Sequence, residues 1–211
     1  MGERGSGLWD VEVPASSLVA GVDEAGRGSL AGPVVAAAVI LRPDVMLPGL
    51  ADSKLLTPAV RSRLAEAIHA VATSWAVAAV EAADIDASDI LRATLRAMTE
   101  AVQQLGPQPD LVLVDGNALP SLPMPATAVI RGDQRVPVIS AASILAKVTR
   151  DRIMEDWAVR LPAYGFAQHK GYGTVAHRAA IARHGPSPIH RRTFAGVREY
   201  AGDTGFQARL W

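Results

Sequence analysis

Aliphatic residues between positions 18 and 41 fall into two runs, separated by a polar, glycine-rich segment. The run LVAGV ends at Asp23 and Glu24, and the run VVAAAVIL follows Pro33. Short apolar runs bounded by glycine are typical of buried strands, and the second run can return along the first as a hairpin. The pattern therefore predicts two paired strands, with the acidic pair at the rim of a sheet.

The two adjacent acids impose a geometric constraint on the first strand. Successive strand residues point to opposite faces, so Asp23 and Glu24 cannot both face one site from a regular strand. We therefore expect the strand to end or bulge at this pair. Glycines soon after the acids permit such a departure and let backbone amides approach a phosphate or sugar: Gly26, Gly28 and Gly32.

Carboxylates at a buried rim need a partner of opposite charge. Arg27, Lys54 or a divalent cation could serve, and two hard oxygen ligands are what Mg²⁺ or Mn²⁺ prefers. The alternative is a simple turn in which the acid pair forms salt bridges. The motif alone leaves both interpretations open.

Further elements alternate between helix and strand signals. Thr57 before Pro58 predicts a helix start, and residues 75–80 predict a third strand that completes an antiparallel meander. Residues 85–89 predict the start of a second helix, with Asp86 or Ser88 as its cap. This order predicts an α/β fold with helices layered on a mixed sheet.

The second half of the chain continues this alternation. The unbroken apolar tetrad at 111–114 is typical of a central strand covered on both faces, and it runs directly into Asp115. A short strand is predicted over 127–131, just before Asp133. Long helical patterns follow from Ile139 and after the predicted cap Thr174.

Composition limits the class of protein. With 211 residues and 49% hydrophobic content, the chain can bury a full core as one domain. It has no cysteine, which excludes disulfides and thiolate zinc sites. It has no apolar stretch of about 18 residues, so we expect that the protein is neither secreted nor membrane-spanning. We therefore expect it to be cytoplasmic.

Charge is distributed unevenly along the chain. Residues 1–130 carry 8 Lys and Arg against 15 Asp and Glu, whereas residues 131–211 carry 13 against 6. This asymmetry indicates a basic face near the C-terminus, of the kind that binds nucleic acid. The alternative is an ordinary solvated helical surface.

Four carboxylates stand at or just beyond predicted strand ends: Asp23, Glu24, Asp115 and Asp133. Acids gathered at one edge would repel one another without a cation. Two divalent ions about 4 Å apart would neutralise them and could clamp the attacking and leaving oxygens of a phosphoryl displacement. For Asp115 and Asp133, each beside a glycine, the alternative is a turn residue.

Seven segments carry a resemblance to a known family: VDEAGRG at 22–28, LAGPVVAAAV at 30–39, DSK at 52–54, LVDG at 113–116, GD at 132–133, AASILAKVTRD at 141–151 and HKGYGT at 169–174. Together they resemble ribonuclease HII, the type 2 ribonuclease H family, over roughly residues 18–194. The resemblance implies a ribonuclease H-like α/β fold with a five-stranded mixed sheet flanked by helices. It also implies a short lead-in at 1–17, a catalytic core at 18–160 and a small helical substrate-binding part at 161–211.

The resemblance further implies roles for individual residues. Asp23, Glu24, Asp115 and Asp133 would be catalytic and would bind two Mg²⁺ or Mn²⁺ ions. A glycine-arginine-glycine segment would contact the 2′-hydroxyl of the ribonucleotide, which distinguishes RNA from DNA: Gly26, Arg27 and Gly28.

The other implied substrate contacts lie mostly in the second half of the chain. Tyr172 would stack on the deoxyribose after the ribonucleotide and select a 5′-RNA-DNA-3′ junction. Without the family, a packed aromatic residue is the alternative. Basic residues offered as phosphate contacts, with ordinary surface charge as the alternative, are Lys54, Lys147, Lys170, Arg191 and Arg192.

The implied activity is metal-dependent hydrolysis of the RNA strand in RNA–DNA hybrids, with incision on the 5′ side of single ribonucleotides in duplex DNA. One metal would activate a water and the other would stabilise the departing 3′-oxygen, leaving 3′-hydroxyl and 5′-phosphate ends. Ribonucleotide removal in DNA replication and repair would follow. Rival hypotheses are another nuclease of the same broad fold and a hybrid-binding module without catalysis. We expect a monomer. The tail from Gly205 to Trp211 is too short to decide whether a sliding clamp recruits the enzyme.

Overall fold

The computed structural model describes residues 17–42, 44–45, 47–50 and 56–202. The strands in this part of the chain are β1 (Val19–Ala25), β2 (Val34–Ile40), β3 (Ser74–Val80), β4 (Leu111–Asp115) and β5 (Ala126–Val129). The helices are α1 (Pro58–Val71), α2 (Ala82–Ala87), α3 (Ile90–Gln103), α4 (Gly132–Arg135), α5 (Pro137–Arg160), α6 (Phe166–His169) and α7 (Val175–His184). None of the helices in these ranges has the length and apolar character needed to cross a bilayer.

The five strands form one mixed sheet in the order β3-β2-β1-β4-β5. The first three pair antiparallel as a meander, and β4 and β5 run parallel to β1. This arrangement confirms the predicted hairpin, the third strand and the mixed α/β sheet. It also places the C-terminal ends of β1 and β4 at the same edge, where parallel strands commonly present functional side chains.

Helices cover both faces of the sheet. Ala20 and Val22 of β1 face the layer that contains α3, whereas Val19 and Leu113 face α5 and α1. The first turn of α5 crosses β1 so closely that a Cβ at Gly21 would lie 2.3 Å from the Val138 carbonyl carbon. Glycine at this position therefore sets the distance between the sheet and α5.

The first strand stays regular through its acids, so the prediction that it ends or bulges there is wrong. Asp23 pairs with Ala37 and Glu24 with Ala36 in unbroken antiparallel register with β2. The chain turns only after Ala25, at a glycine with φ of 94°. The two acids therefore point to opposite sides of the sheet, as a regular pleat requires.

The predicted cap of the second helix is also wrong, although the observed cap, Asp89, lies within the predicted 85–89 segment. The Ser88 backbone interrupts the helix, and α3 begins after Asp89, whose Oδ1 accepts a hydrogen bond of 2.8 Å from the Arg92 N–H. The Asp86 carboxylate instead accepts bonds from the backbone N–H groups of Arg192 and Thr193, 2.7 and 3.0 Å long. A long-range contact thus replaces the predicted local cap.

Candidate active site

Three aspartates converge at the shared edge of β1 and β4. The register Val22 to Val114 brings Asp23 and Asp115 side by side, and the Asp133 N–H donates to Asp115 Oδ1 at 3.3 Å. One carboxylate oxygen from each of the three lies within 4.8 Å of the others. Carboxylates on two neighbouring strands and a following turn therefore form one oxygen-rich group, which we call the aspartate group.

A short helix delivers Asp133 to this position. Arg131 adopts a left-handed conformation, with φ of 55°, and redirects the chain from β5 into α4. The Ser140 hydroxyl on α5 then donates to the Asp133 carbonyl oxygen at 2.5 Å. The third acid is thus fixed by the same helix that covers the sheet.

Glu24 lies beside the aspartate group but not within it. Its side chain is 15% exposed and its Oε1 pairs with Arg27 Nη1 at 3.4 Å, while its backbone N–H donates to Asp23 Oδ1 at 2.7 Å. Of the partners that the sequence left open, Arg27 is therefore the one that reaches Glu24. Lys54 lies outside the described residues.

Burial and like charge act together on these carboxyls. Desolvation raises the pKa of Asp23 well above its ordinary value, and the nearby Glu24 and Asp115 charges raise it further. Desolvation also raises the pKa of Glu24, against the lowering effect of Arg27. Hard oxygen donors held together at this cost suit a hard divalent cation, whose charge would offset the repulsion. The residues present therefore fit a Mg²⁺ or Mn²⁺ site.

The glycine-rich loop at 26–33 lies between two segments of the C-terminal part. Ser29 pairs with Tyr172 and Ala31 pairs with His190 as isolated antiparallel bridges. The structure thus joins two motifs that are about 140 residues apart in the sequence. Because β1 leads directly into this loop, the loop starts two residues after Glu24.

Two fully buried arginines hold the loop from behind. Arg191 was predicted to contact phosphate, but its side chain is 0% exposed. It cannot reach a phosphate from this position, which corrects the prediction. The backbone carbonyls that accept from Arg191 are Gly26, Arg27 and Gly32, and those that accept from Arg150 are Ala31, Pro33 and Lys170.

Tyr172 stands at the surface beside the loop. Its side chain is 38% exposed, and its ring lies 5.6 Å from Lys147 Nζ and 5.4 Å from the Arg150 guanidinium carbon. An exposed ring next to cationic groups can stack on a sugar or base while a nearby ammonium contacts phosphate. The location is compatible with the predicted role of Tyr172.

The remaining basic residues differ in their surroundings. Lys147 pairs with Asp151 at 2.7 Å and Lys170 pairs with Glu155 at 2.9 Å, so both ammonium groups already have acidic partners. Arg192 is exposed. The phosphate contacts of Lys147, Lys170 and Arg192 therefore stay predictions.

A chain of neutral imidazoles holds the backbone of Tyr172. The Ser187 N–H donates to His190 Nδ1 at 2.9 Å, so the other ring nitrogen of His190 carries the proton. That Nε2–H donates to His177 Nε2 at 3.0 Å, and His177 Nδ1–H donates to the Tyr172 carbonyl at 3.0 Å. Burial lowers the pKa of His177 to about 4 and of His190 to about 3, in agreement with neutral rings.

Sequence reasoning missed Arg150 and the histidine pair. Arg150 continues a stripe of buried α5 residues spaced four apart, Ala142, Ala146 and Met154, and a charge within such a stripe is a usable signal. No local pattern pointed to His177 and His190, because their contacts join α7 to a later loop.

Residues 20–197 match the family model described as Ribonuclease HII. The chain belongs to the ribonuclease HII family. A ribonuclease HII of Coxiella burnetii is 54% identical over 188 residues, which make up 89% of this chain and 93% of that protein.

Solved structures of ribonuclease H2 and HII proteins share the fold. Ribonuclease H2 from Pyrococcus horikoshii aligns with a TM-score of 0.73 and 28% identity, over 87% of this chain and 97% of that one. Ribonuclease HII from Archaeoglobus fulgidus, solved in complex with PCNA, aligns with a TM-score of 0.72 and 26% identity, over 84% and 95%. The ribonuclease H-like fold predicted from the sequence is therefore confirmed.

Membership of the ribonuclease HII family establishes the general activity. The chain is a divalent-metal-dependent endoribonuclease that acts on RNA–DNA hybrids. The aspartate group supplies a buried set of oxygen ligands consistent with this chemistry.

The charge state of Asp23 should control the stability of the metal-free protein. Asp23→Asn removes a desolvated charge but keeps an oxygen that can accept the Glu24 N–H bond. We expect its melting temperature without metal at pH 8 to rise by about 2–4 °C, which corresponds to ~1 kcal/mol. Because folding raises the pKa of Asp23, the gain should shrink as the pH falls towards 5.

Thermal melts of both proteins with chelator and with Mn²⁺ would test this expectation. Mn²⁺ should stabilise the wild type and the exposed-carboxylate control Asp156→Asn, but not Asp23→Asn. An Asp23→Asn protein that is less stable without metal, and still responds to Mn²⁺, would contradict the assignment.

The imidazole chain should make the fold acid-sensitive. The folded-state pKa values of His177 and His190 lie below the unfolded value of about 6.5, so the unfolded chain takes up protons first as the pH falls. We expect each of the two histidines to cost on the order of 2 kcal/mol of stability between pH 6.5 and 4.5. Urea unfolding across this range should show a shallower decline for His190→Asn than for the wild type; parallel declines would argue against neutral histidines.

Proposed function

We propose that this enzyme incises duplex DNA on the 5′ side of a single embedded ribonucleotide, besides cutting longer hybrids. The observation that carries the proposal is the adjacency of three features at one edge of the sheet. These are the aspartate group, the glycine-rich loop at 26–33 and the exposed ring of Tyr172. One short stretch of nucleic acid could therefore be cut at the aspartate group, contact the loop through its sugar and stack on Tyr172.

The acids would bind the catalytic ions. Asp23, Asp115 and Asp133 would supply oxygen ligands for two Mg²⁺ or Mn²⁺ ions. Glu24, which leaves β1 on the opposite face, would reach the ions around the end of the strand. Bound ions would activate the attacking water and stabilise the departing 3′-oxygen, giving 3′-hydroxyl and 5′-phosphate ends. The protein itself contributes a rigid arrangement of these ligands, because β1, β4 and α5 fix them.

The glycine-arginine-glycine segment would recognise the ribonucleotide. Arg27 and Gly28 are exposed, and a Cβ built at Gly28 would meet no atom within 4 Å. Backbone groups without a side chain in front of them can approach a 2′-hydroxyl, the group that separates RNA from DNA. Tyr172 would then stack on the following deoxyribose and favour a 5′-RNA-DNA-3′ junction.

The proposed partners and role follow from this substrate. Residues 161–202 would form part of the substrate-binding surface, since they carry Tyr172 and support the loop. We propose a monomeric enzyme that removes misincorporated ribonucleotides during DNA replication and repair.

Cleavage of a labelled DNA duplex with one ribonucleotide tests the activity. With Mg²⁺ or Mn²⁺ we expect a single incision on the 5′ side of the ribonucleotide, leaving a 3′-hydroxyl. Asp115→Asn should reduce the rate by at least ~10²-fold, because it removes a metal-binding oxygen charge at the centre of the site. Asp156→Asn, an exposed acid on α5, should keep the wild-type rate.

Other outcomes would identify the rival functions. Cutting of an all-DNA duplex would favour a different nuclease specificity. Binding of hybrids without incision under either metal would favour a binding module and overturn the proposal.

The junction preference should depend on Tyr172. Tyr172→Ala removes the stacking ring, so we expect incision at a single ribonucleotide to fall about tenfold, while cleavage within a long RNA strand falls less. Tyr172→Phe keeps the ring and should retain the preference. Rates measured on matched junction and uniform-hybrid substrates check this, and equal losses on both would contradict the junction role.

A further inference from the structure

The side chain of Arg191 occupies the interior directly behind the start of the glycine-rich loop. Its Nη2 donates to the Gly26 carbonyl at 2.7 Å and its Nη1 donates to the Arg27 carbonyl at 2.8 Å. Its Nε donates to the Gly32 carbonyl at 3.1 Å. One guanidinium thus binds two consecutive peptides and the far end of the same loop.

These bonds determine where the loop directs its N–H groups. In a planar trans peptide, the N–H of the following residue points opposite to the carbonyl. Because the Gly26 and Arg27 carbonyls point inward to Arg191, the N–H groups of Arg27 and Gly28 point away from it. Both residues are exposed, so the two donors are directed to the outer surface of the loop.

We propose that Arg191 is a positioning residue for ribonucleotide recognition, which orients the Arg27 and Gly28 N–H groups towards the 2′-hydroxyl. This inference rests on the proposed function, because that function supplies the hydroxyl to be recognised. Arg191 itself does not touch the nucleic acid. It acts through two peptide planes whose carbonyl ends it holds.

The chemistry of arginine suits this task better than that of lysine. A guanidinium is a planar fork whose donors point in several fixed directions, so it can serve neighbouring carbonyls and a third acceptor at once. An ammonium is a compact charge that cannot reproduce this geometry. Burial, with Arg150 as a nearby like charge, lowers the pKa of Arg191 to about 9, so the fork stays charged at neutral pH.

The backbone around Arg191 is held independently of its side chain. The Arg191 N–H donates to the Leu30 carbonyl at 2.9 Å, and the Gly32 N–H donates to the Ile189 carbonyl at 2.8 Å. The loop should therefore stay docked when only the guanidinium is changed. A substitution at Arg191 can then alter peptide orientation without removing the loop from the site.

A pair of duplexes that differ in one 2′-hydroxyl tests the proposal. Binding is measured for a DNA duplex with one ribonucleotide and for its all-deoxy counterpart, with Ca²⁺ as an oxygen-coordinating ion. We expect Arg191→Lys to lower the ratio of the two affinities about tenfold, the scale of one lost polar contact, while all-deoxy binding changes less than ~2-fold.

A control variant separates positioning from loss of stability. The buried Tyr164 hydroxyl donates to the Gly185 carbonyl at 2.8 Å, a hydrogen bond that joins two residues of the same C-terminal part and none of the loop. Tyr164→Phe should lower the melting temperature but leave the affinity ratio at its wild-type value. An unchanged ratio in Arg191→Lys, or an equal loss of affinity for both duplexes, would overturn the proposal.

The wild-type protein provides a second measurement if Arg191→Lys does not fold. The amide signals of Arg27 and Gly28 in a ¹⁵N spectrum should shift more with the ribonucleotide duplex than with the all-deoxy duplex. Identical shifts would overturn the positioning role even if the affinities differ. If the wild type bound the ribonucleotide duplex and the all-deoxy duplex equally tightly, the proposed function would be refuted. The role of Arg191 would then be refuted as well.

Discussion

The parallel pairing of β1 with β4 is the constraint on which the rest of the site depends. It places Asp23 and Asp115 side by side, and the turn after β5 adds Asp133. Burial makes this accumulation of charge costly, as the raised pKa of Asp23 shows. A divalent cation would offset the repulsion between the carboxylates. Its binding would need no rearrangement, because the oxygens are already close together. Metal binding and local instability thus have the same origin.

A second constraint is the path of the chain after Ala25. Carbonyls of the loop at 26–33 point inward to two buried arginines, and Arg27 and Gly28 are exposed on its outer side. A Cβ at Gly26 would lie 2.0 Å from Arg150 Nε, so the tight contact with this guanidinium requires glycine. Residues 26–28, GRG, must therefore pack closely against the buried arginines on the inner side of the loop and keep the backbone accessible on its outer side.

The sequence predicted the sheet and the convergence of three aspartates at its edge, because apolar runs and strand-end aspartates are local signals. It failed where a distant contact decides the outcome. Arg191 sits in a basic tail and suggests a phosphate contact, yet the fold buries it among carbonyls of residues 26–32. Asp86 suggests a helix cap, yet it binds backbone N–H groups near residue 192. The regular course of β1 through its acids is a different failure: the pairing with β2 was expected, but not its continuation past Asp23 and Glu24 to Ala25.

The two buried guanidiniums connect the C-terminal part of the chain to the loop that follows β1. Arg150 comes from α5 and reaches the carbonyls of both Ala31 and Lys170, while Arg191 comes from the tail and reaches the start of the loop. The same carbonyl-rich segment therefore connects the core helix, the Tyr172 loop and the tail. If any of these moved alone, a buried guanidinium would lose acceptors, which costs more than the bonds are worth in water. The proposed sugar-binding loop and the proposed stacking residue Tyr172 are for this reason parts of one rigid surface.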